Sequence, residues 1–174
     1  MDFEACFRII EATSAEDYKK SKDGWRPKAK QKEMRLLDLK YLLVKRDGHV
    51  EGFTSFMPTY EDHYPVIYCY EIHLLPGLKG CVNALKPRPA KIRLTNLPRS
   101  GMGKLLMGLL DIVAANIKGV EKVMLTVFLR NDKAVQFYRK IGFKIDRYSP
   151  LPRVLRDGRI VEESYIILSK AVSR

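Results

Sequence analysis

The spacing of apolar and polar residues changes its period several times along the chain. Three strand-like runs occupy the first half, at residues 39–46, 50–60 and 65–75. The dipeptide Asp47-Gly48 between the first two runs is a strong signal for a two-residue hairpin. Pro58 should end the strand character of the second run. Together these runs predict an antiparallel three-stranded meander.

Helical spacing precedes and follows the meander. A short helix is expected over residues 16–22 and another over 28–37, with a break near Gly24 and Pro27. Further along, apolar residues recur at the 3, 4, 7, 8, 11 spacing of a helix packed on a sheet: Met102, Leu105, Leu106, Leu109, Leu110 and Val113. Gly119 should end that helix.

The last third adds a buried strand at residues 120–128 and a helix at 131–142. Two last strands are expected at residues 143–149 and 159–172, with a hairpin-like turn near Asp157-Gly158. Helices thus interrupt a mixed, mostly antiparallel sheet. The pattern predicts a single α/β domain over residues 1–174, with a long basic loop at about 75–98.

The composition and the net charge narrow the class of protein. No run of about 18 apolar residues suggests a membrane span, and the first residues lack the pattern of a secretory signal. Three cysteines without paired spacing indicate neither a disulfide framework nor a zinc site, so a reducing compartment is expected. The net charge of +12 suits a nucleic acid, an acidic lipid, a phosphate-rich cofactor or simply a solvated basic surface.

The most informative short segment is PRSGMGK, residues 98–104, at the entrance of a helix. A helix N-terminus exposes unpaired N–H groups, and glycines let those groups approach a ligand closely. Arg99 and Lys104 add positive charge. The segment therefore predicts a phosphate or pyrophosphate site, with close packing of the two glycines as the alternative.

With its context, this segment resembles the GNAT family of acetyl-coenzyme A-dependent N-acetyltransferases, whose motif is [Q/R]xxGx[G/A]. Pro98 stands at the first motif position, with Arg99 one residue later, and Gly101 and Gly103 fit. Within that family the chain is most similar to the NatD-type enzymes, which acetylate histones H4 and 2A. The stretches YCYEIHL (68–74), GMGKLL (101–106), KVMLTVF (122–128) and SYIILS (164–169) carry this resemblance.

The resemblance implies acetyl-CoA as cofactor and a GNAT fold. The cofactor-binding residues that it implies are Ile72, His73, Leu74, Arg99, Ser100, Gly101, Met102, Gly103, Lys104 and Asn131. For Ile72 to Leu74 the backbone would bind the pantetheine arm. Helix capping explains Asn131 equally well.

Glu71 is the first candidate for catalysis. A carboxylate inside an apolar strand is costly unless it has a partner or a task, and an α-amino group must lose a proton before it attacks a thioester. The resemblance implies that role for Glu71, and it implies a strand bulge near Tyr70. Tyr138 stands where many GNAT enzymes place a tyrosine near the coenzyme A sulfur; packing of its helix is the alternative.

The same resemblance implies a peptide-binding set: Tyr18, Trp25, Thr59, Tyr60, Glu61, Tyr68, Tyr70, Thr126 and Tyr165. For Tyr68 and Tyr70, core packing is the alternative. Histone tails that start SGRG carry a cation at their third residue, and Glu61 can pair with it. The NatD-type enzymes have a second acidic residue at the position of Thr59, so this chain lacks that acidic group.

Three functions therefore remain to be compared. The leading hypothesis is N-terminal acetylation of the histone H4 and histone 2A tails by a cytoplasmic and nuclear monomer. The second is a GNAT enzyme acting on lysine side chains or small amines. The third is a non-enzymatic module that binds nucleic acid through its basic surface, and the absence of any base-reading motif ranks it last.

Overall fold

The computed structural model describes residues 2–22, 24–78 and 101–173 of the chain. The helices are α1 (Asp2–Lys19), α2 (Pro27–Glu33), α3 (Met102–Asn116) and α4 (Asp132–Lys140). The strands are β1 (Lys40–Arg46), β2 (His49–Glu61), β3 (Tyr64–Leu74), β4 (Lys122–Phe128), β5 (Lys144–Ile145), β6 (Arg153–Val154), β7 (Ile160–Val161) and β8 (Tyr165–Ala171). A short 3₁₀ turn, Pro76–Leu78, follows β3, and the rest of the predicted basic loop, residues 79–98, lies outside the described residues.

Six strands form one sheet in the order β1-β2-β3-β4-β8-β5. The β3–β4 pair is parallel, and the other pairs are antiparallel. The parallel pair follows from α3, which stands between these two strands in the chain and packs on the sheet as a crossover helix. A separate two-stranded ribbon is formed by β6 and β7. The predicted α/β architecture with a mixed, mostly antiparallel sheet is confirmed.

The meander of β1, β2 and β3 is also confirmed, and its first turn is the predicted one. Asp47 and Gly48 both have positive φ, 49° and 83°, as a two-residue hairpin of the primed type requires. Pro58 does not end β2, however. Beyond Phe56, which pairs with the first residue of β1, β2 has β3 alone as a partner, and an open edge tolerates proline.

Two apolar clusters lie on the two faces of the sheet. One packs β2, β3, β4 and β8 against α3 and α4, with Phe56, Ile67, Met107, Leu110, Leu125 and Leu168 among its buried residues. The other packs α1 against β2 and contains Cys6, Phe7, Ile9, Ile10, Met34 and Phe53. Because strand side chains alternate, Phe53 and Phe56 reach opposite faces.

Several predicted boundaries are wrong. Helix α1 begins at Asp2 rather than at residue 16, and α2 ends at Glu33 rather than at residue 37. The buried face of α3 includes Met107 and Ala114, whereas Leu105, Leu109 and Val113 are half-buried. Residues 159–172 form two strands, β7 and β8, and residues 143–149 contribute only the two residues of β5. No helix in the described ranges is long and apolar enough to cross a membrane.

Candidate active site

The centre of the sheet contains a wedge-shaped cleft between β3 and β4. The two strands pair only from Val66 to Cys69 and from Lys122 to Leu125, and beyond these positions they separate. Residues 70–74 of β3 and 126–128 of β4 therefore face each other across a cleft of about 200 Å³, which α1 and α4 also line.

A bulge in β3 sets the direction of the side chains at the cleft. Ser55 pairs with Glu71 and Phe56 pairs with Cys69, so Tyr70 is the extra residue. The bulge predicted near Tyr70 is thus confirmed. It places Cys69 in the apolar cluster with α3, whereas Glu71 faces α1 and α2. Tyr70 and Glu71 consequently both line the cleft.

Glu71 is buried, with 7% of its surface exposed, and its carboxylate accepts three hydrogen bonds. The Tyr18 hydroxyl (3.0 Å) and the Lys30 ammonium (2.8 Å) donate to Oε1. The ring of His73 reaches Oε2 through Nε2 at 2.5 Å. Glu71 is therefore a buried and partnered carboxylate rather than a strand residue that faces water.

The charge of Glu71 follows from these partners. Burial alone would raise the pKa of its carboxyl, but His73 and Lys30 outweigh burial and lower the pKa to about 2. Burial and the Glu71 charge raise the pKa of the Tyr18 hydroxyl, which therefore stays protonated as a donor. Glu71 is an anion at every physiological pH.

Lys30 is a site residue that the sequence analysis did not identify. Its ammonium bridges Glu71 and Glu33, at 2.8 and 2.7 Å, and lies 4.9 Å from the centre of the Tyr18 ring. Burial disfavours the ammonium, but these carboxylates outweigh it and raise the pKa of Lys30 above its ordinary value. The sequence alone does not distinguish Lys30, because α2 is strongly basic and the nearby Lys28 and Lys32 are exposed.

His73 has a buried side chain, although the sequence analysis assigned only its backbone. The ring packs against Phe53 at 5.6 Å between centres, and Nδ1 lies 2.7 Å from Thr13 Oγ1 on α1. Ile72, His73 and Leu74 all line the cleft beyond the last β3–β4 pair. Among the described residues, no strand pairs with their backbone groups on the β4 side, and the binding of a pantetheine arm there stays a prediction.

The glycine-containing segment opens α3 as expected. Gly101 is the N-cap residue, and the helix starts at Met102, which is buried, whereas Lys104 is exposed. A Cβ on Gly103 would lie 3.3 Å from Phe137 Cζ, so close packing explains that glycine at least in part. Arg99 and Ser100 lie outside the described residues.

Asn131 and Tyr138 lie on the α4 side of the cleft. The Asn131 side chain accepts a hydrogen bond from the Ala134 amide at 3.1 Å, which is the capping role given as the alternative. Tyr138 is 7% exposed and packs against Phe137 and Phe143. Burial raises the pKa of its hydroxyl, with Cys69 and Glu71 adding to the rise, so Tyr138 remains a neutral phenol.

Two further cavities lie next to the cleft and share lining residues with it. One is lined by Tyr18, Trp25 and Tyr165, together with Lys30 and Glu33. The other is lined by Tyr18, Glu33, Glu61, Tyr68, Tyr70 and Thr126. Tyr18 and Phe128 line both of them and the cleft as well. The cleft and the two cavities therefore meet at Tyr18 and Phe128, and the Tyr18 hydroxyl is the one that donates to Glu71.

Seven of the nine predicted peptide-binding residues line these two cavities. Thr59 and Tyr60 line neither, and Tyr60 is 73% exposed. For Tyr60 the reason is that β2 continues to Glu61 as a strand, so Tyr60 points away from the face that Glu61 occupies. The hydroxyls of Tyr68 and Thr126 are hydrogen-bonded to each other at 2.6 Å.

Comparison of the sequence with family models and of the structure with solved structures gives matches to acetyltransferases. Residues 96–143 match the model of the Acetyltransferase (GNAT) family. The ribosomal-protein-S18-alanine N-acetyltransferase from Escherichia coli is similar in structure, with a TM-score of 0.57, 18% identity and coverage of 99% of this chain and 89% of that one.

Two other solved structures are similar to the same extent. Aminoglycoside 6'-acetyltransferase type Ii has a TM-score of 0.59 and 15% identity, over 99% of this chain and 90% of that one. The PaiA N-acetyltransferase from Thermoplasma acidophilum, in complex with coenzyme A, has a TM-score of 0.55 and 18% identity, over 97% and 89%. The chain has the single-domain α/β GNAT fold.

Proposed function

We propose that the chain is an acetyl-CoA-dependent N-terminal acetyltransferase whose substrates are the tails of histones H4 and 2A. One observation carries the proposal. The ionised, buried carboxylate of Glu71 lies where the β3–β4 cleft meets the two cavities lined by tyrosines and carboxylates.

The donor side of the site suits coenzyme A. The separated strands leave the backbone of Ile72, His73 and Leu74 free to bind the amides of a pantetheine arm. The first turn of α3, from Gly101 to Lys104, offers N–H groups and the positive end of a helix dipole to a diphosphate. Bound there, acetyl-CoA supplies the activated acetyl group. The match to the acetyltransferase family model spans this same helix.

The acceptor side must take a proton from an amine. An α-amino group has a pKa of about 8, so at neutral pH it arrives mostly as an ammonium. Glu71 attracts that cation, and the Tyr18 hydroxyl and Lys30 fix the orientation of the carboxylate. The two oxygens of a carboxylate offer about four acceptor sites in all, and three are occupied, which leaves one on Oε2 for the amine or a bridging water.

Two carboxylates favour a cationic peptide. Glu33 and Glu61 line the same cavity as Tyr68 and Tyr70, and the third residue of an SGRG tail is an arginine. Glu33 supplies the second acidic group that is missing at Thr59. The overall charge of +12 opposes a basic tail, but screening over about 8 Å at physiological salt limits that repulsion to short range.

The decisive experiment is an acetyl-transfer assay with three acceptors: an SGRG peptide with a free N-terminus, the same peptide blocked at its N-terminus but carrying a lysine, and a small diamine. We expect turnover only with the free N-terminus. We expect Glu71→Gln to lower kcat by roughly 10²- to 10⁴-fold, the usual contribution of a positioned base. Equal turnover of the blocked peptide or the diamine would support the side-chain or small-amine enzyme instead.

Selectivity for the cation is tested separately. Replacing the peptide's arginine by glutamine should raise KM for the wild-type enzyme, and Glu61→Gln should remove most of that difference. Glu51→Gln is the matched control, since Glu51 lies on the same strand and pairs with Arg46 away from these cavities. If Glu61→Gln leaves the arginine preference intact, Glu61 does not recognise the tail.

A histone substrate would place the activity in the cytoplasm and nucleus.

The competing function, a basic module that binds nucleic acid, predicts a different result. Binding to nucleic acid that falls steeply with salt, without any acetyl transfer, would favour that module over the enzyme.

A further inference from the structure

The inner end of the β3–β4 cleft is closed by three side chains, Cys69, Leu125 and Tyr138, which we call the apolar wall. Cys69 and Leu125 form the last pair between the two strands, and Tyr138 lines the cleft from α4. The three residues are 4%, 2% and 7% exposed and belong to the apolar cluster with α3 and α4. Because such clusters are close-packed, the apolar wall cannot move back without disturbing its neighbours.

The other side of the cleft is polar. Glu71 and His73 are hydrogen-bonded to each other there, and the Tyr18 hydroxyl donates to Glu71. The bulge at Tyr70 produces this division, because it turns the Glu71 side chain to the face of the sheet opposite Cys69. A molecule at the inner end of the cleft therefore contacts polar groups on one side and the apolar wall on the other.

Cys69 is the smallest side chain of the apolar wall, and it packs there as an apolar group. Burial raises the pKa of its thiol to about 12, so the thiol stays protonated and is a poor nucleophile. Its sulfur lies 3.5 Å from Thr54 Oγ1 and 3.7 Å from the carbonyl oxygen of Glu71. Cys69 also lines the neighbouring cavity that contains Glu61. The volume of this one side chain therefore sets the depth of the cleft at its inner end.

Resting on the acetyl-transfer function proposed above, we infer that Cys69, Leu125 and Tyr138 determine acyl specificity by contacting the acyl group of the donor and favouring acetyl over longer chains. The methyl group is the apolar end of an acetyl thioester, so the apolar wall suits it, whereas the attacking amine belongs on the Glu71 side. A longer acyl chain would have to displace close-packed side chains. A methylene group more or less in such a pocket changes kcat/KM by about 10- to 200-fold.

A first experiment measures binding in the absence of any acceptor. Isothermal titration calorimetry on the full chain compares coenzyme A, acetyl-CoA and propionyl-CoA. For wild type we expect the Kd of propionyl-CoA to exceed that of acetyl-CoA by about 10-fold or more. Cys69→Ala leaves a space close in size to a methylene group, so it should reduce that ratio to about threefold or less.

The opposite substitution tests the same contact from the other direction. Cys69→Val adds volume to the apolar wall and should raise the Kd of acetyl-CoA by about 10-fold, while the Kd of coenzyme A, which has no acyl group, stays within about twofold. Cys6→Ala and Cys6→Val are matched controls, since Cys6 is buried in the cluster on the other face of the sheet. Equal affinity of wild type for the two thioesters, or an equal loss of coenzyme A and acetyl-CoA binding in Cys69→Val, would overturn the inference.

A second experiment follows acyl transfer from each thioester to an SGRG peptide. We expect Cys69→Ala to raise kcat/KM for propionyl-CoA relative to acetyl-CoA by about 10-fold. A ratio equal to that of wild type would overturn the inference. Circular dichroism verifies that each variant folds. Absence of transfer to every amine would refute the proposed function alone, because the calorimetric comparison does not depend on transfer.

Discussion

Lys30 and Glu71 form an ion pair in which both side chains are nearly removed from solvent, at 10% and 7% exposure. Substitutions in such pairs are strongly destabilising, because removal of one partner leaves the other charge buried without a counter-charge. The cost in stability is about 3–5 kcal/mol. Here His73 remains beside Glu71, so part of the compensation survives.

Substitution of Lys30 by methionine should therefore destabilise the fold strongly. We expect Lys30→Met to reduce the free energy of unfolding at pH 7 by about 3 kcal/mol, measured by urea denaturation. Lys28→Met is the matched control, since Lys28 is exposed on the same helix and should change stability by no more than about 0.5 kcal/mol. Equal stability of the two variants would show that Lys30 is not a structural counter-ion.

The lowered pKa of Glu71 makes stability depend on pH in a definite direction. Its pKa falls from 4.5 to about 2 on folding, so its ionised form stabilises the native state above pH 4.5, and that contribution is lost as the pH falls toward 2. The shift corresponds to roughly 3 kcal/mol. Urea denaturation from pH 7 to pH 2.5 should show a steeper acid loss for wild type than for Glu71→Gln, and parallel curves would contradict this.

Single residues of the site were predictable to different degrees. Glu71 was found because a carboxylate is conspicuous in an apolar strand, and Tyr18, Trp25 and Tyr165 came from the resemblance. Lys30 and Thr13 were not predicted because distant contacts place them in the site. Lys30 contacts Glu71, 41 residues away in the chain, and Thr13 contacts His73, 60 residues away. No local pattern distinguishes the buried lysine from its exposed neighbours.

At the scale of elements, α3 contains two glycines in different surroundings. A Cβ on Gly103 would meet Phe137 at 3.3 Å, whereas one on Gly108 would meet nothing within 4 Å. Alanine is favoured over glycine in a helix interior by about 1 kcal/mol. Gly108→Ala should therefore stabilise the chain by about that amount.

Gly103→Ala should gain less than Gly108→Ala, because the Phe137 ring has to move. Midpoints of urea denaturation for the two variants measure the difference directly. If Gly103→Ala stabilises equally and binds coenzyme A as tightly as wild type, as measured by calorimetry, then neither packing nor close approach of a ligand requires this glycine.

Element boundaries were predicted well only where a local signal marks them. Asp47-Gly48, Gly119 and Asn131 are such signals, and the elements beside them agree with the structure. The start of α1 was missed although Phe3, Cys6, Phe7 and Ile10 have helical spacing. The prediction of one strand over residues 159–172 is wrong because strand propensity does not reveal where a partner strand ends. In the structure β8 pairs with β4 only from Tyr165 to Ala171.

At the scale of the whole molecule, the order of elements was sufficient to predict the fold class. The cleft itself could not be predicted from hydrophobic patterning, because both β3 and β4 continue as strands beyond the point where they separate. Within the part of the chain that the structure describes, main-chain groups there have no strand partner on one side, so a molecule that pairs with them should add stability.

Coenzyme A should consequently raise the thermal midpoint. At a concentration of 100 times Kd, binding to the native state alone adds about 2.7 kcal/mol, which corresponds to a shift of roughly 5–10 °C for a chain of this size. Differential scanning calorimetry with and without coenzyme A checks this. The thermal midpoint of Glu71→Gln should rise by the same amount, because the substitution changes a side chain and leaves the backbone groups of the cleft in place. No shift at saturating ligand would place the cofactor elsewhere.

The extra residue in β3 also has a chemical consequence. In a regular strand that kept Tyr70 within its ladder, Cys69 and Glu71 would share one face, because side chains two residues apart point the same way. Since Cys69 lies with Leu110 and Leu125, the carboxylate would then face a dry hydrocarbon interior, far from any amine. The chemistry of this protein therefore requires the pairing of two β3 residues against one β2 residue as well as the carboxylate itself.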